Sequence, residues 1–595
     1  MLHLIIGGAG CGKSTRLIGQ IRKAYEQGEQ IYALVPEQYS FTNDLKLYEA
    51  LGPTAFNAIQ SLSFTSLARA LFQQYGGRSG EYADDLTKTI LLYQSIRALS
   101  DSSAFSHFDR QAKKPAFQDA AAKAITELRR GSISPEALLE QTARLEGRLR
   151  DKAADLAVLY GDYDRQLREK GYKDSLTDIT EAAALCAGNE HFKGALLFLD
   201  EFESFTGDQM EFLDVLFAQA KELWITLRTE DPEAPAYSVF DATNATYRRL
   251  LALAQKHGTG HEVLLCKEPF RFRYPDLAHI SRSILRPVHT QLPTAEHIHV
   301  FEAKNCYTEA DCACAHIRKL VREQGVRYAD IAIVTHQLEE YAGILESACI
   351  RYSIPFHLDR KISCMHTALL QLMSGVLELI SEKRPRTETL LRYAKTRLLG
   401  ISCERTARLE SYCYTWNVDG MMWLEPFTAG LEENSDLEAL RLELVEPIMQ
   451  LREACRGQNV RTLCKNLYQF LCRMNVPKNI SGIAQDYQEA GCTAEASALK
   501  ALWGSLADVL DALCNVLGDA VLPTSRFRDL MQALLSRISY STPPQSLDAV
   551  LVASAETARL NAPKYVFVLG VSEGFFPSQV HSTGLFTDAD KQQLE

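Results

Sequence analysis

"GGAGCGKST", Gly7 to Thr15, follows an apolar run from Leu2 to Ile6 and precedes apolar residues at helical spacing, Leu17, Ile18, Ile21 and Ala24. Gly7-x4-Gly12-Lys13-Ser14 satisfies GxxxxGK[ST]. Each part has a physical role. Glycines let the backbone turn so that its N–H groups face an anion. A helix starting near Ser14 adds its positive dipole end. Lys13 reaches the β- and γ-phosphates, and the Ser14 hydroxyl can ligate Mg²⁺. The expected contact set is Gly7, Gly8, Ala9, Gly10, Cys11, Gly12, Lys13, Ser14 and Thr15. Gly28 is expected to end the helix, and "QIYALVP", Gln30 to Pro36, reads as the next strand.

A phosphate loop also needs an acidic strand end. "ALLFLDEFESFTGDQ", Ala195 to Gln209, supplies one. Its apolar start reads as a buried parallel strand. Asp200 and Glu201 then fall at the C-terminal strand end, where ligands collect in open α/β sheets. Asp200 is expected to hold Mg²⁺, and Glu201 to position or deprotonate the attacking water. About 190 residues separate the two motifs, more than a small nucleotide kinase needs, so something is inserted between them.

The 595 residues are enough for about three to five domains. The net charge of −11 counts against a bulk nucleic-acid coat but leaves room for a local basic channel. No apolar run reaches the ~18 residues of a membrane span, and there is no signal-like N-terminus. A soluble, cytoplasmic protein is expected. The 15 cysteines are scattered and read as reduced core residues. Cys306, Cys312 and Cys314 match no zinc spacing, and no HExxH occurs.

Strands alternate with long helical stretches. "DIAIVT", Asp330 to Thr335, and two β-rich runs in Asp548 to Val571 suggest a second α/β lobe. Residues 80–190 and 376–540 have amphipathic, Leu/Ala-rich spacing and read as helical insertions.

Several further segments carry a resemblance. "LVPEQYSFTNDLKLYE" (Leu34 to Glu49), "IQSLSFTSLARALF" (Ile59 to Phe72) and "LDEFESFTGDQ" resemble, in order, motifs of UvrD/Rep-type superfamily 1 helicases. "VPEQYSFTND", "DEFESFTGDQ", "RYADIAIVT", "YSIPFHLDRK" and "VFVLGVSEGFFP" are similar to the B subunit of AddAB-type ATP-dependent helicase–deoxyribonucleases. The resemblance runs along essentially the whole chain. It implies an α/β fold of two P-loop NTPase (RecA-like) lobes with parallel sheets, each carrying a largely helical insertion. The division is 1–80 plus 190–288 and 289–375 plus 541–595 for the lobes, the second incomplete, and 81–189 and 376–540 for the insertions. It implies ATP and Mg²⁺ as cofactors, single-stranded DNA and duplex ends as substrates, and the A subunit as heterodimer partner. It also implies that the family's chains continue past Glu595, so this chain is expected to be truncated. The last helicase motif, the nuclease domain and its iron–sulfur cluster are expected only in the missing part.

The resemblance also points to residues. Gln38, Tyr39, Thr42, Phe64 and Arg69 are candidates for single-strand contact, with Phe64 equally readable as a core ring. Arg271 and Arg273 lie where such helicases carry an arginine facing the γ-phosphate, Arg273 being the assigned contact; the usual "NYRS" is absent, and a solvated role stays open. Glu309, Glu556 and Arg559 fall in segments that couple nucleotide to DNA, although "ASAETARLN" departs from "TxHxAKGLE". Lys383, Arg384, Arg386, Arg392, Lys395 and Arg397 form a basic patch read first as a solvated face. Three functions follow: an ATP- and DNA-binding part of a complex that processes double-strand ends for recombinational repair, a non-motor DNA-scanning scaffold with a retained nucleotide pocket, and a stand-alone translocase.

Overall fold

The computed structural model describes residues 1–595 except 60, 78, 234–238, 269, 284–289, 431–434, 541–545, 557, 559, 561–562, 579–583 and 595. The candidate Arg559 therefore lies outside the described residues.

The chain divides into two compact units. The first comprises Met1–Ala83, Ala120–Phe301 and Gln592–Glu595, and the second Asp84–Asp119 and Glu302–Lys591.

The first unit holds a six-stranded sheet in the order Ser61–Leu62, Ile31–Leu34, Leu196–Leu199, Glu222–Leu227, Leu2–Gly7, His261–Cys266. Every ladder in it is parallel. Parallel strands buried on both faces read as continuous apolar runs, as "LHLII" and "LLFL" do here. Alternate residues serve opposite cores. Leu2, Leu4, Ile6, Leu197, Leu199, Leu223 and Ile225 face one layer of helices, including Phe64–Tyr75 and Gly207–Gln219. Ile5, Ala33, Phe198 and Trp224 face the other, where Leu17, Ile21 and Ala24 of the helix Lys13–Glu26 pack.

The second unit holds a four-stranded parallel sheet, ordered Phe356–Leu358, Val550–Ser554, Ile331–Thr335, Tyr565–Leu569. Helices Cys306–Gln324 and Leu338–Arg351 cover one face through Ala313, Ile317, Ala342 and Leu345. Between the second and third strands of this sheet, in chain order, the described residues form eight α-helices, from Ala368–Ser381 to Thr524–Leu535, and a short antiparallel ladder of Ile362–Ser363 with Ser539–Tyr540. Lys383, Arg384 and Arg386 are exposed here, Arg386 beside Glu382, while the half-buried Arg392 pairs with Glu378 and Lys395 with Glu410.

Two sequence expectations change. Residues 84–119, read as part of the first insertion, pack with the second unit. The helix Asp85–Asp101 buries Ile90, Leu91, Leu92, Tyr93 and Ile96, too broad an apolar surface for one neighbour. It lies against helices Thr493–Leu517 and Thr524–Leu535. Arg526 joins them by a forked pair to Asp101 at 2.7 and 2.8 Å.

Phe64 is not a DNA contact. It is 3% exposed, with edge-on contacts to Phe202, Phe205 and Phe212 at 5.7–6.3 Å between ring centroids. It begins the buried stripe Phe64, Leu67, Ala68, Leu71 of its helix, which Ser63 caps by accepting from the Ser66 N–H. Phe64→Ala should lower stability by about 3–5 kcal/mol. Urea unfolding of this variant beside Gln38→Ala, an exposed control expected within about 0.5 kcal/mol of wild type, checks the assignment.

Candidate nucleotide site

The site forms at the C-terminal ends of three neighbouring strands. Leu2–Gly7 delivers the phosphate loop, Leu196–Leu199 delivers Asp200, and Glu222–Leu227 lies between them. The loop's shape follows from its glycines: Gly10 and Gly12 have φ of 74° and 77°, a left-handed backbone that side chains resist. Gly12 caps the helix Lys13–Glu26 without a side-chain acceptor, so the first-turn N–H groups keep no internal partner. Such a helix start is a receptor for an anion.

Lys13 folds back into the loop. Its Nζ donates to the carbonyls of Gly7 at 2.9 Å and Gly8 at 2.8 Å. Burial pushes its ammonium below the ordinary range, while Cys11, Asp200 and Glu201 pull it up again. Burial likewise pushes the Cys11 thiol up, against the pull of Lys13.

Asp200 is 4% exposed. Its Oδ1 accepts from the Thr226 hydroxyl on the intervening strand and from the Glu201 N–H at 3.0 Å. Its Oδ2 is buried with no hydrogen-bond partner. A buried carboxylate oxygen left unpaired is costly, and a cation relieves the cost. Mg²⁺ keeps most of its shell as water and phosphate oxygens and takes one or two protein oxygens, which fits Asp200 with the half-buried Ser14. Accordingly, no group of three or more His, Cys, Asp or Glu able to hold a metal is present among the described residues.

Glu201 stands apart from its neighbour. Its φ is 62°, and its carboxylate accepts from Lys46 at 3.4 Å. Lys46, on the helix Ser40–Ala58, carried no sequence signal because the pairing exists only in the fold.

Of the two candidate arginines, both exposed, the structure brings Arg271 against the loop. Arg271 donates its backbone N–H to the Gly10 carbonyl at 3.2 Å, and its Cβ would meet a methyl at Gly10 at 2.5 Å. Phe270, also unassigned from sequence, lies over Gly12. Arg273 is exposed and sits over the Tyr274 ring at 5.7 Å. The loop-side arginine is thus Arg271. Downstream, Asp276 accepts from the N–H groups of Glu296 and His297 and from the His297 ring, closing the segment behind it.

Of the remaining DNA candidates, Gln38 and Tyr39 lie on the turn Glu37–Tyr39 after the strand Ile31–Leu34, and Thr42 is on the next helix. Gln38, Thr42 and Arg69 are exposed and Tyr39 is half-buried. In the second unit Glu309 accepts from the Tyr341 hydroxyl at 2.6 Å and from the Gly570 N–H at 2.9 Å, a satisfied structural pair.

These features place the phosphate loop and the acidic strand end at the C-terminal edge of one parallel sheet. Residues 4–281 match the family model for the N-terminal part of ADDB. The chain is also similar, from end to end, to curated proteins named as the B subunit of an ATP-dependent helicase/deoxyribonuclease. Those of Acetivibrio thermocellus and Clostridium botulinum (strain Hall) are each 28% identical over 100% of this chain and 54% of their own length. That of Clostridioides difficile is 27% identical with the same coverage. The resemblance drawn from the motifs is borne out, and the chain spans about half the length of the curated relatives it matches. Among the described residues no helix is long and apolar enough to cross a membrane.

The buried, upshifted Cys11 should resist alkylation. Iodoacetamide at about pH 8, read by peptide mass spectrometry, is expected to modify exposed Cys312, Cys403 and Cys472 and to spare Cys11.

Proposed function

We propose that this chain is the helicase-like, ATP- and DNA-binding part of a B subunit in a helicase–nuclease that processes double-strand DNA ends for recombinational repair. It works in the cytoplasm, paired with an A subunit. The observation that carries the nucleotide half of this reading is the unpaired, buried Oδ2 of Asp200 beside an uncapped phosphate loop.

In this reading the loop N–H groups and Lys13 hold the phosphates, Ser14 and Asp200 hold Mg²⁺, and Arg271 reaches in from the segment over Gly10. Mg²⁺ supplies charge neutralisation of the phosphate oxygens. Glu201 orients the attacking water once Lys46 releases it. Gln38, Tyr39, Thr42 and Arg69 line the single-strand path, with Arg69 gripping phosphate. The relatives' names and the order of the motifs support the DNA half. The two lobes and two insertions remain our division of labour, with residues 84–119 moved from the first insertion to the second half.

A second reading, a nucleotide-holding scaffold that does not turn over, is favoured by "ASAETARLN", which departs from the "TxHxAKGLE" wording of UvrD-type motors.

ATP hydrolysis by the purified chain, with and without single-stranded DNA, separates the two. The first reading expects DNA-stimulated turnover that falls about 100-fold or more in Lys13→Ala and in Asp200→Asn. Absence of turnover with nucleotide still bound establishes the scaffold instead. For DNA, Arg69→Ala should lower the slope of log affinity against log salt by about one contact's worth. An unchanged slope in an oligonucleotide titration removes Arg69 from the path.

A further inference from the structure

Arg228 belongs to no motif discussed above, yet the fold sets it beside the phosphate loop. It directly follows the strand Glu222–Leu227, which lies between the phosphate-loop strand and the strand that delivers Asp200. Leu227 pairs with Ile6, so Arg228 stands one residue past that pair, as Gly7 does. Side chains alternate along a strand. Trp224 packs on the face where Leu17, Ile21 and Ala24 of the phosphate-loop helix lie. Thr226 is next on that side, bonded to Asp200, and Arg228 follows it.

The backbone around Arg228 is held before and after it. Thr226, 2% exposed, donates its hydroxyl to Asp200 Oδ1, and the fully buried Thr229 donates its own to Asn244 Oδ1 at 2.7 Å. The Arg228 side chain is freer. Its guanidinium is more than half exposed and pairs with Glu203, which is more exposed still and lies three residues past Asp200. An ion pair this open to solvent contributes little, so a stronger anion can take the guanidinium from it.

Arg228 also bears on Lys13. Burial lowers the Lys13 ammonium first, and the Arg228 guanidinium adds to that, against Cys11, Asp200 and Glu201. Two cations thus serve one side of the cradle from adjacent strands, whereas Arg271 enters over Gly10. In a phosphate loop the lysine reaches the β- and γ-phosphates. A second cation beside it, on the flank of the acidic strand, faces the terminal phosphate.

We propose that Arg228 is a specificity-determining residue of the nucleotide site: it leaves Glu203 for the terminal phosphate of a nucleoside triphosphate and so makes the chain prefer triphosphate to diphosphate. This rests on the nucleotide reading of the loop. A guanidinium suits the task because its fork of donors matches two phosphate oxygens. A diphosphate lacks the group that draws Arg228 from Glu203.

The test is a titration of the intact chain, with Mg²⁺, against fluorescent analogues of ADP and of non-hydrolysable ATP. It compares wild type with Arg228→Ala, Glu203→Gln, the double variant and Lys13→Ala. Arg228→Ala is expected to weaken triphosphate binding about tenfold and diphosphate binding about twofold or less. Glu203→Gln frees the guanidinium and should tighten triphosphate binding about two- to threefold, a gain that vanishes in the double variant. Equal weakening of both ligands in Arg228→Ala, or of neither, overturns the proposal, as does a Glu203→Gln gain that survives the loss of Arg228. If Lys13→Ala abolishes binding while Arg228→Ala keeps the wild-type preference, only the role of Arg228 fails. If wild type, folded by circular dichroism, binds neither analogue, the nucleotide reading fails and this proposal with it.

Discussion

The first strand, Leu2–Gly7, is hydrogen-bonded on one side to Glu222–Leu227 and on the other to His261–Cys266. Everything in the candidate site depends on those two parallel ladders. The phosphate loop is the direct continuation of this strand. Its partners come from the far end of the first unit's sequence, so the loop comes beside Asp200 and Arg271 only after the sheet is complete. Because both faces of the sheet are covered, a shift of one residue in any ladder would turn Ile5 or Leu4 into the wrong core. Burial thus fixes the height at which Gly7 ends, and with it the position of the anion cradle.

The charges around the cradle are handled in different ways. Lys13 is satisfied internally by two carbonyls. Asp200 is half satisfied, one oxygen bonded and one bare. Glu201 is paired to a partly exposed lysine, an arrangement worth little once solvent screens it. On the proposed nucleotide reading this gradation is chemically sensible: the internal bonds of Lys13 and the weak pair of Glu201 can be traded for phosphate and water, and Asp200 Oδ2 offers a buried carboxylate oxygen to Mg²⁺.

Much of this was legible in the sequence, and the limits have physical causes. The phosphate loop, the acidic strand end, and the strands Ile331–Thr335, Val550–Ser554 and Tyr565–Leu569 are local patterns, visible as apolar runs with turn residues at their ends. Phe64 was ambiguous because an aromatic at the first position of a helix can stack outward or begin the buried stripe; three facing phenylalanines decide it. The choice between Arg271 and Arg273 needed the backbone bond to Gly10, which no spacing announces. Lys46 and Thr226 meet Glu201 and Asp200 only in the assembled fold. The helix Asp85–Asp101 shows the same limit at larger scale: its apolar surface was readable, but its partners more than 390 residues later were not.

The left-handed backbone of Glu201 has a consequence beyond chemistry. A glutamate there costs on the order of 1 kcal/mol in backbone conformation, which glycine would relieve. The residue that would make this strand end most comfortable is therefore one that cannot touch water or Lys46. On the proposed role of Glu201, durability and reactivity are set against each other at a single position, and a variant selected only for heat resistance would drift toward glycine there while its sheet, its loop and its helices stayed intact.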